Sequence, residues 1–193
     1  MKKIIFPFLL LLITVTAYPQ FTTTVIWEHP VMPTSSDTIN YNPGSKLTWA
    51  DFRGQPNSNS VATAITASGF GYTMSMRSVN NRTSLVITVY CYFQKNNSWV
   101  KRGMKTDYAL THEQHHFDIT YIATAAFVNK LKDAVFTKSN YESLLEKLNS
   151  ECYADLEKMQ NAYDGDTKNG QLKNVQAIWN DKLDLLLSQT VIH

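Results

Sequence analysis

The sequence predicts an α+β domain, with an N-terminal, mostly antiparallel β-sheet followed by three helices. Three observations lead there. From Phe21 to about Arg102 the chain is rich in β-branched and aromatic residues, and one stretch alternates clearly between apolar and polar positions. Asn pairs sit where turns between such strands are needed. From Thr106 onward the apolar period becomes helical.

The first strand is expected over Thr22 to Trp27, followed by a Pro-, Ser- and Asn-rich connection from Pro30 to Gly44. Lys46 to Gly54 (KLTWADFRG) and Val61 to Met76 continue the β-type composition. Ser84 to Phe93 gives the clearest strand, with Leu85, Ile87, Val89, Cys91 and Phe93 on one face. Asn80-Asn81 is placed for a hairpin turn into it, and Asn96-Asn97 for another before Trp99.

Thr106 is positioned to cap the first helix, which should run to about Leu131. Leu110, Phe117, Tyr121 and Val128 form one stripe of this helix. Ile119, Ala123 and Phe127 on the other side are apolar too, so both sides should be covered. Ser139-x-x-Glu142 reads as a capping box for a second helix that stops near Asp164-Gly165. Its stripe is Leu144, Leu148, Cys152, Leu156 and Met159, with Leu145 at one edge. A polar loop from Asp164 to Lys173 leads to a third helix with Val175, Ile178, Trp179 and Leu186 inward.

Met1-Lys2-Lys3 and the apolar run Ile4 to Thr14 read as a secretory signal peptide. Residues 1–20 are therefore assigned to a leader and 21–193 to a single domain. The run is short for a bilayer span, and no later stretch is apolar enough, so an exported chain, periplasmic or extracellular, without a membrane span is expected. Removing Lys2 and Lys3 takes Lys plus Arg from 18 to 16, which equals the 16 Asp plus Glu. A neutral chain offers no electrostatic case for nucleic acid or anionic lipid. Cys91 and Cys152 are the two cysteines, and in an oxidising compartment they are expected to form one disulfide.

The chemistry is concentrated in the first helix. His112-Glu113-Gln114-His115-His116 fits H-E-x-x-H. A helix turns about 100° per residue, so His112 and His116 stand one above the other and can share one zinc ion. Glu113 points aside, where it can serve as general base toward a zinc-activated water. Glu151 and Asp155, four residues apart, lie beside the buried stripe of the second helix and call for cationic or donor partners.

Three blocks carry a resemblance to a family: Leu47 to Gly54 (LTWADFRG), Leu110 to Asp118 (LTHEQHHFD), and Tyr163 to Gly170 (YDGDTKNG) with Gln176 and Trp179. In this order the chain resembles the bacterial predicted secreted zinc-dependent proteases, long catalogued as a domain of unknown function. The resemblance implies a zinc peptidase fold, a peptide or protein substrate and peptidase activity.

The third metal ligand has two candidates. Glu151-Cys152-Tyr153-Ala154-Asp155 resembles the E-x-x-x-D pattern of thermolysin-like peptidases, which makes Glu151 the first choice, with Asp155, or alternatively Asp118, orienting a ligand His. The rival is the third block, which in similar sequences reads Y-D-x-x-T-x-H-G and here has Asn169 in place of that His. Tyr163 or Asn169 is the candidate donor to a tetrahedral oxyanion. Trp49, Asp51 and Phe52 are expected to lock sheet to helices. Asp164 and Asp166 read as turn residues, and His29, His115 and His193 as surface. The alternative to an active metallopeptidase is a degenerate relative that binds zinc or a protein, because Asn169 replaces the expected His.

Overall fold

A computed structural model describes residues 20–30, 32–33 and 35–190. The leader assigned to residues 1–20, apart from Gln20, and His193 lie outside them. The described chain forms β1 (Gln20–Glu28), β2 (Thr38–Asn40), β3 (Ala64–Ile65), β4 (Ser68–Val79), β5 (Arg82–Gln94) and β6 (Trp99–Val100). Then come α1 (Asp107–Asp133), α2 (Tyr141–Thr167) and α3 (Lys173–Gln189). This is the expected α+β order of strands before helices.

The alternating stretch becomes the centre of the sheet. β4 pairs antiparallel with β5 along its whole length, while β1 and then β2 occupy the other edge. β1 runs parallel to β5, the one departure from antiparallel pairing among the described strands. Asn80 and Asn81 close the β4–β5 hairpin with φ of 48° and 63°. Two successive positive φ values define a turn whose twist matches the strands, and Asn tolerates them. β3 and β6 form a separate two-stranded ribbon.

Leu85, Ile87, Val89, Cys91 and Phe93 are all buried on one face, as the alternation requires. α1 lies against that face and is covered on both sides. Its Ile119, Phe127 and Leu131 share one core with Phe70 and Ile87 of the sheet and Leu145 and Leu183 of α2 and α3. Phe117 and Tyr121 pack in a second core with Tyr41, Leu47 and Phe93. No helix among the described residues is long and apolar enough to cross a membrane.

Lys46 to Gly54 is a turn-rich staple and not a strand. Leu47 N–H donates to Gln114 Oε1 of α1 at 2.8 Å, and Phe52 meets Phe93 edge-on at 5.2 Å. Gly54 lies so close to the Asn96 carbonyl that an added Cβ would sit 2.7 Å away. This block ties sheet to helix through Leu47 and Phe52, with Trp49 packed on Phe52, whereas Asp51 accepts from Thr48 and holds only the block's own turn.

Four local expectations are corrected. The Ser139–Glu142 capping box does not form: Asn140 is the N-cap of α2, and its side chain turns back to accept from Thr137 N–H. Helix α2 runs through Gly165 to Thr167 and closes on Lys168 in the left-handed region, whose N–H reaches the Asp164 and Gly165 carbonyls. Ile178 is 66% exposed, because Gln176, Trp179 and Leu183 set the inward face of α3 and position 178 points about 100° away from Trp179. Cys91 and Cys152 are free buried thiols in different cores, so the expected disulfide is absent.

Candidate metal centre

The Thr106 hydroxyl caps α1 by accepting from Ala109 N–H at 3.1 Å, which fixes the phase of the H-E-x-x-H turn. His112, Glu113, Gln114 and His115 are all buried, and His116 nearly so. His112 and His116 bring their Nε2 atoms to 3.2 Å from each other. The third group at this point is Asp164: its Oδ1 is 3.2 Å from His112 Nε2 and 3.1 Å from His116 Nε2. His112, His116 and Asp164 form a group that can hold a metal ion.

The hydrogen bonds behind the rings decide what these atoms carry. Gln176 Nε2 donates to the Tyr163 hydroxyl and to Asn180 Oδ1, which turns Gln176 Oε1 toward His112 Nδ1 at 2.9 Å. Gln160 Nε2 donates to the His116 carbonyl and Thr120 Oγ1, which turns Gln160 Oε1 toward His116 Nδ1 at 2.5 Å. Each Nδ1 must therefore carry the proton, and each neutral ring presents a bare Nε2 lone pair. Asp164 Oδ1 is a buried atom with no hydrogen-bond donor. With both rings neutral, three acceptors converge, an arrangement that a metal ion or a bound proton relieves. Their spacing is close to the roughly 3.3 Å edge of a tetrahedron with bonds of about 2.0 Å.

Without a metal, protons must do the same work. Burial works against a charged His116, but the Asp164 carboxylate, with Glu113 nearby, outweighs it and raises the imidazole above its ordinary value. Burial likewise opposes the Asp164 carboxylate, yet the two imidazoles hold its carboxyl well below the usual range.

Glu113 is buried beside this centre, and Thr66 Oγ1 donates to its Oε2 at 2.7 Å. Thr66 lies between β3 and β4, so the sheet positions the carboxylate that α1 supplies. The centre opens into a cleft of about 1020 Å³ lined by Ile65 and Thr66 on one wall, and by Glu157, Gln160 and Asn169 on another.

The structure sorts the expected residues. His112, Glu113 and His116 come together at the cleft. Glu151 does not join them: it is 45% exposed and pairs with Lys130 and Lys147. Nine residues separate it from Gln160, about 180° around the helix, so it faces away. Asp155 is paired with Lys130 on that same outer side and orients no histidine. Tyr163 is fully buried, its ring stacked on His112 at 4.7 Å and its hydroxyl occupied by Gln176. It supports the His112 ring and does not reach the cleft as an oxyanion donor. Asn169 does line the cleft, exposed and left-handed at φ 54°.

His115 is buried, not on the surface, and bonds Asp118 at 3.0 Å. Asp118 also accepts from Tyr41 and Gln114, so it ties α1 to the segment that follows β2 and touches neither His112 nor His116. His29 is exposed and stacks on Trp27. Asp166 accepts from Trp179 Nε1 at 3.1 Å and holds the end of α2 to α3.

The residues that sequence reasoning missed are Asp164 as the third member of the group, Gln160 and Gln176 as the partners of the rings, and Thr66. Gly165 hid Asp164, because a glycine there reads as a helix stop. The available signal was Gln160 and Asp164 at i and i+4, one helical turn apart. Compared with known proteins, the chain significantly matches no family model, no curated protein and no solved structure.

Proposed function

We propose that this chain is an exported zinc-dependent metallopeptidase, with His112, His116 and Asp164 as ligands and Glu113 as general base. One observation carries the reading: two imidazole nitrogens and a carboxylate oxygen meet beside a buried glutamate in an open cleft. Two imidazoles and one carboxylate suit zinc and leave a fourth position for water or substrate. Bound there, zinc would supply Lewis acidity, acidifying a water and polarising a carbonyl.

The protein's own groups do the rest. Thr66 engages Oε2 of Glu113 and leaves Oε1 to take a proton from the attacking water and pass it to the leaving amine. Gln176 and Gln160 keep both imidazoles in the tautomer that offers Nε2. The Asn169 amide, on the cleft wall, is the donor proposed for the tetrahedral oxyanion. The cleft lies at the upper end of the range of about 300–1,000 Å³ usual for ligand sites, with room for a peptide segment. The leader-like first 20 residues support an exported setting.

The test is hydrolysis of a peptide library by the zinc-loaded chain, followed by mass spectrometry. Glu113→Gln is expected to lower turnover by about 10²–10⁴ while zinc stays bound. A wild-type protein that holds zinc and cleaves nothing would contradict the peptidase reading and favour a zinc-binding module.

A further inference from the structure

Helix α2 places one more carboxylate on the cleft wall. Glu157 stands seven residues before Asp164, about 20° from it around the helix and about 10 Å along the axis. It lines the same cleft and is exposed to it. The acidic residues on the back of α2 are neutralised, Glu151 by Lys130 and Lys147 and Asp155 by Lys130. Glu157 takes part in no ion pair among the described residues.

Among the described residues no Lys or Arg lines the cleft, and the charged side chains there beside the two histidines are Glu113, Glu157 and Asp164. A divalent ion in the centre balances Asp164 and Glu113, which leaves Glu157 as the uncompensated charge. Ser150 and Ala154, small residues on the same wall, leave room around its side chain.

We infer that Glu157 selects substrates carrying a cationic group near the scissile bond, a proposal that rests on the peptidase reading. An extended chain advances about 3.3 Å per residue, so a peptide running along α2 would bring to Glu157 a side chain about three residues from the reacting carbonyl. The group it recognises is an ammonium or guanidinium, from a Lys or Arg side chain or from the free N-terminus of a short peptide.

The experiment uses the zinc-loaded full chain and peptides that differ at one position three residues from the cleavage point: Lys, norleucine or Glu. Each is made with a free and an acetylated N-terminus. Cleavage is measured directly, and binding is measured by fluorescence anisotropy on the Glu113→Gln protein. kcat/KM is expected to be about two- to fivefold higher for Lys than for norleucine, a ratio that falls to about one in Glu157→Gln. In Glu157→Lys the preference should move to the Glu peptide. If acetylation alone removes the advantage, the recognised cation is the α-amine.

Equal cleavage of all the peptides would overturn the inference while the peptidase reading stands. Absence of cleavage with a Glu157-dependent binding preference would sink the peptidase reading and support Glu157 only as the cation-selecting group of a cleft that binds without cleaving. Neither cleavage nor preference would overturn both.

Discussion

His116 and Gln160 hold each other at two points, the ring Nδ1 against Gln160 Oε1 at 2.5 Å and the Gln160 amide against the His116 carbonyl at 2.8 Å. One residue of α2 thus sets both the tautomer and the tilt of a proposed ligand on α1, and Asp164 follows one turn later. Gln160→Leu keeps the size of the side chain and removes both contacts. Zinc affinity is expected to fall by about 10–100-fold, as for other partners behind metal ligands. Competition with a chromophoric chelator measures it, and an unchanged affinity would show that the ring needs no such support.

Tyr163→Phe separates support from catalysis. The change leaves the stacking on His112 but strips the Gln176 amide of a buried acceptor. Stability should fall by about 1–3 kcal/mol in denaturant unfolding. Turnover at saturating zinc should fall far less than in Glu113→Gln, because the hydroxyl does not face the cleft. A loss of turnover as large as that of Glu113→Gln, at full zinc occupancy, would return Tyr163 to the oxyanion role.

Gly170 is the close approach in this region. It has φ of 77°, and an added Cβ would lie 3.2 Å from His112 Nδ1, where the bond to Gln176 is made. Gly170→Ala is expected to cost about 1–2 kcal/mol through its left-handed backbone, and to weaken zinc binding as well by pushing the ring. Paired thermal melts with and without zinc report both effects.

The metal-free protein should show a stability window in pH. Asp164 has a depressed folded value, so its contribution is present above its unfolded value of about 3.9 and is lost as pH falls through the folded one. His116 has a raised folded value, so its contribution is complete below about 6.5 and is lost as pH rises through the folded one. The pair therefore stabilises the metal-free chain most between about pH 4 and 6.5. Zinc should remove the loss on the alkaline side, because it replaces the proton between the three groups. Melting temperatures across pH, with and without chelator, test this, and parallel profiles would contradict it.

Much of the fold was legible because its signals are local. The alternation of Leu85 to Phe93 needs only a period of two, and the covered faces of α1 follow from apolar residues on both sides of one helix. Asn80-Asn81 announced its turn by composition. The centre was half legible for the same reason: His112, Glu113 and His116 belong to one helical turn. The third member of the group depends on how α2 is rotated against α1 and on where α2 ends, and neither is local. Glu151 had the right charge on the wrong side of the helix. Asp164 lay just before Gly165, which reads as a helix stop but which the buried Tyr163 and Thr167 carry through in helical form. The cysteines misled because sequence separation and compartment do not fix the distance between two thiols.

The most direct measurement is the zinc content of the purified chain beside His112→Ala, Asp164→Ala and Glu151→Ala. The account predicts close to one zinc per chain in the wild type and in Glu151→Ala, and loss of it in His112→Ala and Asp164→Ala. Zinc retained in Asp164→Ala but lost in Glu151→Ala, or absent from the wild type altogether, would contradict it.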